Sequence, residues 1–110
     1  MNKFIGSGRI VKNAIVNGQE KKALKFIMLA KHGYDPKEKK DLMELVPCVM
    51  FNPSEKQQEF LTGQGKGMHV EFEGRVATSE FEREGQPEFS TEVVIDKRTF
   101  NIVMSRSTAE

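Results

Sequence analysis

At 110 residues the chain has the length of one domain, so its core, its partner surface and any site are expected to come from a single compact unit. Seventeen Lys and Arg nearly balance sixteen Asp and Glu, leaving a net charge of +1, so a polyanion must be held by uneven placement of charge and not by its total. One cysteine, Cys48, excludes an intrachain disulfide, and no apolar stretch is long enough for a signal peptide or a membrane span. A cytoplasmic protein with no membrane partner is the expectation. A hydrophobic content of 37% suffices for one small core, which self-association would support.

Lys3 to Val11 reads as a strand interrupted by Gly6 and Gly8, glycines that mark a bend or a close backbone approach in a curved sheet. Asn17-Gly18 is a hairpin signal. Ala23 to Lys31 then alternates, with Leu24, Phe26, Met28 and Ala30 on one face and Ile27 and Leu29 between Lys25 and Lys31 on the other. His32 to Asp41 contains Gly33, Pro36, Lys37, Lys39 and Lys40 and reads as an exposed basic loop around Tyr34. Leu45 to Phe51 is an apolar run of strand length in which Pro47, lacking an N–H, points to an edge or a bulge.

Asn52-Pro53-Ser54-Glu55 reads as a helix start, with Asn52 as N-cap and Glu55 completing a capping box, and the helix is expected to end near Gly63. Met68 to Glu73 alternates strictly, with Met68, Val70 and Phe72 inward. The strand continues through Arg75 to Phe81, turns at Glu84 to Pro87 and returns through Phe89 to Ile95, with a last apolar pair near Phe100 and Ile102. Five strands with one short helix between the third and fourth, and a long hairpin between the fourth and fifth, define an all-β, Greek-key OB-fold barrel. A six-stranded sandwich would leave the capped helix unexplained. Residues 1–104 form the barrel domain and 105–110 a short flexible C-terminus.

No catalytic constellation or metal-ligand spacing is present, and neither an enzyme nor a cofactor is expected. His32 and His69 read as solvated, Gly63 to Gly67 as a turn without phosphate-loop spacing, and Glu71 and Glu73 as a soluble strand face. What remains is aromatic residues beside basic ones, the combination that binds single strands: rings stack on bases, each worth about 1–3 kcal/mol, while Lys and Arg follow the phosphates. The candidate stacking residues are Tyr34, Phe51 and Phe81, and the candidate phosphate contacts are Lys31, Lys37, Lys39, Lys40, Arg75 and Arg83. Phe81 is flanked by charges near a hairpin tip, whereas Phe51 ends an apolar strand and fits the core equally well. Glu80, Glu82, Glu84 and Glu88 crowd the same hairpin and would repel phosphates. Phe4, Phe26, Phe72 and Phe100 belong to the interior pattern.

Met1 to Val11, Phe26 to Ala30, Val49 to Phe51, Phe72 to Val76 and Ser90 to Val94 together resemble the bacterial single-stranded DNA-binding protein family, from Met1 to Val103. The resemblance implies sequence-tolerant binding and protection of single-stranded DNA in replication, recombination or repair. It also implies a homotetramer, with replication proteins as partners, and stacking positions that fall on Tyr34, Leu45, Phe51 and Phe81. Three of these, Tyr34, Leu45 and Phe81, stand where the family commonly has tryptophan, so weaker stacking is expected. The family's acidic recruiting tail is not seen before Glu110, and Pro47 resembles the dimeric primosomal replication protein. The alternative reading is therefore a primosomal-type interaction module that docks on a helicase or loader and touches DNA weakly.

Overall fold

The computed structural model describes residues 2–103, and the segment 105–110 expected to be a flexible end lies outside the described residues. The chain runs β1 (Phe4–Ile10), β2 (Ile15–Asn17), β3 (Ala23–Asp35), β4 (Lys40–Phe51), α1 (Glu55–Gln64), β5 (His69–Arg83), β6 (Gln86–Ile95) and β7 (Asn101–Val103). Strands β1, β3, β4, β6 and β5 are neighbours in that order, and antiparallel pairing of β1 with β5 closes the ring. This is the five-stranded OB barrel, with β2 appended to β3 and β7 to β5. The pairing of β4 with β6, at Cys48↔Val93 and Val49↔Val94, is its one parallel contact among the described residues.

The period-two pattern decides which side chains fill the ring. Leu24, Phe26 and Met28 from β3, Cys48 and Met50 from β4, Val70 and Phe72 from β5, and Val93 and Ile95 from β6 are all buried in one cluster. Phe72 stacks between Phe4 and Phe100, with ring centroids 5.8 and 6.2 Å away, and Phe26 meets Phe100 edge-on at 6.3 Å. The four phenylalanines assigned to the interior thus form one chain of rings, which adds to their burial energy. Gly8 is required by close approach: a Cβ there would lie 2.5 Å from the Leu29 carbonyl oxygen.

Helix α1 starts two residues later than the sequence pattern implies. Ser54 is the N-cap; its hydroxyl accepts from the Gln57 N–H at 3.2 Å, and the Gln57 side chain accepts from the Ser54 N–H at 2.9 Å. Asn52 is instead in the left-handed region at φ 51°, a conformation asparagine tolerates, where it turns the chain out of β4. Leu61 inserts the helix into the core, and its carbonyl accepts from the Ala14 N–H at 2.9 Å.

Two hairpins outrun the barrel. The segment expected as a basic loop is mostly strand: β3 continues to Asp35 and β4 begins at Lys40, with Tyr34 opposite Asp41. A bulge between Lys31 and Gly33 absorbs His32, and Asp35 closes the turn by accepting the Lys37 and Glu38 N–H groups at 3.0 and 3.3 Å. The second hairpin is as expected, with Glu84 and Gly85 both at positive φ in a two-residue turn between Arg83 and Gln86. Because β4 and β6 run parallel, both hairpins project from the same end of the barrel and part just before Cys48 and Val93. Pro47 occupies that fork, paired with Ile27 of β3 but immediately outside the β4–β6 contact, where a missing N–H leaves no broken bond on that side.

Candidate nucleic-acid interface

Cross-strand register fixes which side chains share the barrel's outer surface. On β3 and β4 the outward pairs are Lys25↔Val49, Ile27↔Pro47, Leu29↔Leu45, Lys31↔Met43 and Tyr34↔Asp41, with Phe51 opposite Ala23. On the β5–β6 hairpin the same surface carries Arg75, Ala77, Ser79, Phe81 and Arg83. Tyr34, Leu45, Phe51 and Phe81 therefore lie on one face, and their exposures are 54%, 59%, 50% and 39%. Phe51, open to either reading from sequence, faces solvent, and so do Ile27 and Met43 farther along the same face. Such a row of exposed apolar side chains exceeds the scattered surface residues a soluble protein ordinarily shows.

The basic candidates separate. Lys31 projects from the outer face and lies 3.1 Å from Asp41, while Arg75 and Arg83 share the face of Phe81. The Arg83 guanidinium sits 5.8 Å from the Phe81 ring centroid and 3.9 Å from Glu88, so the ring is flanked by a cation that a phosphate can recruit. Lys37 and Lys39 occupy the turn of the β3–β4 hairpin, and Lys40, opposite Asp35, points to that hairpin's other face. The ion pairs are solvent-exposed, hence weak and exchangeable for contacts to a bound anion. A pair between Lys25 and Glu92 at 3.4 Å bridges β3 to β6 over β4, and Val49 beneath it is buried although it faces outward.

Two features of this region escaped the sequence pattern. Phe89, opposite Glu80 and 68% exposed, presents a second ring on the hairpin face opposite Phe81. Its position in the alternation Phe89, Thr91, Val93 was the available signal. Arg9, not singled out in the sequence, and His69, read there as solvated, meet across β1 and β5. Burial pushes the Cys48 thiol up to about 12, with Glu92 nearby adding to the shift, so this cysteine is a packing residue and not a nucleophile. Among the described residues no cluster of His, Cys, Asp or Glu is arranged to hold a metal, and no helix is long and apolar enough to cross a membrane.

The closed ring of β1, β3, β4, β6 and β5, with one helix between its third and fourth strands, defines a class, the OB-fold barrels. Among solved structures the chain is similar to the Plasmodium falciparum SSB in its complex with ssDNA, with a TM-score of 0.72 and 18% identity over 94% of this chain and 93% of that one. It is also similar to the wild-type single-stranded DNA binding protein from Thermus aquaticus, with a TM-score of 0.73 and 12% identity over 97% of this chain, which spans only 52% of that protein. No family model matches the sequence, and no curated protein matches it. At these identities the likeness is one of fold.

Proposed function

We propose that the protein binds single-stranded DNA without strong sequence preference and takes part in replication, recombination or repair as a coat, not as an enzyme. The observation that carries this reading is the placement of Tyr34, Leu45, Phe51 and Phe81 on one exposed face, with Lys31, Arg75 and Arg83 among them. Stacking on these side chains supplies sequence-tolerant affinity, and the cations add a salt-dependent component. Both structural neighbours carry single-stranded DNA binding in their names, which supports the same ligand for this barrel. Self-association, with a tetramer favoured over a dimer, a cytoplasmic location and contacts with replication proteins are parts of the same proposal, as is the division into a barrel at 1–104 and a flexible end.

The alternative, a protein-docking module that touches DNA weakly, draws on one observation: Glu80, Glu82, Glu84 and Glu88 surround the tip that carries Phe81. Fluorescence anisotropy with labelled oligo-dT of about 35 nucleotides, long enough for several OB sites, separates the two. The coat reading expects strand-selective binding over duplex DNA that weakens with salt and with Phe81→Ala. Equal and weak binding of both nucleic acids would favour the docking module.

A further inference from the structure

A row of outward residues runs across four strands of the barrel. His69 of β5 is opposite Arg9 of β1, Arg9 is opposite Leu29 of β3, and Leu29 is opposite Leu45 of β4. Beyond Arg9 the pairing of β1 with β3 stops while that of β1 with β5 continues to Phe4, so β1 and β3 part and leave a groove between them. The groove, about 360 Å³, is lined by Ser7, Arg9, Leu29, Lys31, Met43 and His69. Its polar side chains are two cations, an imidazole and a hydroxyl, with no carboxylate in the lining. Arg9 has no ion-pair partner among the described residues, whereas Lys31 is shared with Asp41.

We propose that this groove carries the sugar-phosphate backbone of a bound single strand as it leaves the apolar face, with Arg9 and His69 as phosphate contacts beside Lys31. The proposal rests on the single-strand reading and adds a path to it. Strands in a sheet lie about 4.8 Å apart, so the row from Leu45 to His69 spans about 14 Å, a distance a few nucleotides cover. The groove's floor at Leu29 and Met43 is continuous with the exposed Leu45, so a strand stacked there enters the groove without crossing a barrier. The neighbouring groove farther along β1 is lined by Glu71 and Glu73 and would repel phosphate, which directs the strand across Arg9 and not along β1. Arg9 offers a forked donor for phosphate oxygens, and His69 a ring N–H.

The test is anisotropy with oligo-dT of about 35 nucleotides over a salt series for wild type, Arg9→Gln, Arg9→Lys, His69→Glu and Phe81→Ala. Arg9→Gln is expected to lower affinity about fivefold at low salt and to reduce the log–log salt slope by about 0.7, the value of one released counterion. Arg9→Lys keeps the wild-type slope, and His69→Glu lowers affinity about tenfold by placing a carboxylate in the row. All three sites are on the surface, and circular dichroism confirms folding before binding is read. Wild-type slope and affinity in both Arg9→Gln and His69→Glu, with Phe81→Ala still weakened, would overturn this path alone. An Arg9→Gln loss with an unchanged slope overturns it too, because a structural defect moves affinity and not counterion release. Failure of wild type to bind single strands would overturn it together with the reading it rests on.

Discussion

The β3–β4 and β5–β6 hairpins leave the same end of the barrel, carry one aromatic each on the same face, and differ in charge. The first carries Lys31, Lys37, Lys39 and Lys40 against Asp35, Glu38, Asp41 and Glu44, and its turn is pinned by the Asp35 carboxylate. The second carries Glu80, Glu82, Glu84 and Glu88 against Arg83 alone. A net charge near zero therefore conceals one arm whose charges balance and one that is acidic. On the single-strand reading, Tyr34 would draw on the lysines of its turn for phosphate contacts, while Phe81 would act through its ring and the Arg83 beside it. The pair teaches that two hairpins of like geometry can present an aromatic on one face in different electrostatic surroundings, balanced on one and acidic on the other.

The largest expected effect separates barrel from arms. Phe72→Ala removes the central ring of the core stack and should destabilise the fold by about 3–5 kcal/mol in urea unfolding, whereas Phe81→Ala should leave the midpoint unchanged. Next come the rings themselves: Tyr34→Ala and Phe81→Ala are each expected to cost about 1–3 kcal/mol of oligo-dT affinity, and equal losses would show that the arms contribute alike. Replacing Lys37, Lys39 and Lys40 together by Gln should reduce the salt slope by up to about 2, while Arg83→Gln reduces it by about 0.7 at most. Glu80→Gln with Glu82→Gln should raise affinity by about threefold or less, because the carboxylates are exposed and screened. A fall in affinity would instead mean that the acidic arm makes contacts of its own.

The smallest effect concerns Cys48, at the root of both arms. With its thiol pushed up to about 12 from 9.0, the folded protein holds a proton that the unfolded chain releases earlier. Its contribution to stability is complete below pH 9 and is lost as pH rises from 9 towards 12. Cys48→Val should flatten that alkaline limb in a pH series of unfolding midpoints, and a thiol reagent at pH 8 should react with the native protein only as fast as it unfolds.

Much of the barrel was legible because its signals are local. Alternation at Leu24, Phe26 and Met28 and at Val70 and Phe72 named the inward faces, and the helix between the third and fourth barrel strands fixed the architecture. The first hairpin was misread as a loop because Gly33, Pro36 and three lysines carry turn and solvent signals, while what extends the strands is pairing between residues such as Tyr34 and Asp41. The helix start shifted because both Asn52 and Ser54 are good caps, and only the left-handed turn at Asn52 hands the cap to Ser54. Exposure of Phe51, and the row from His69 through Arg9 to Leu45, depend on long-range register, which no window of sequence contains. The crowding of Glu80, Glu82, Glu84 and Glu88 was readable in the sequence, but the Lys31–Asp41 pair that offsets the basic run depends on cross-strand pairing.

The claim common to all these predictions is that one face of the barrel receives the strand. The most direct test is to titrate an oligo-dT of about 15 nucleotides, roughly one OB site, into isotopically labelled protein and follow the backbone amide resonances. Shifts concentrated at Tyr34, Leu45, Phe51, Phe81 and the outward residues beside them, with the groove between α1 and β7 at Phe60 and Ile102 unchanged, are the predicted result. Shifts confined to that groove, or no shifts at all, would contradict the account.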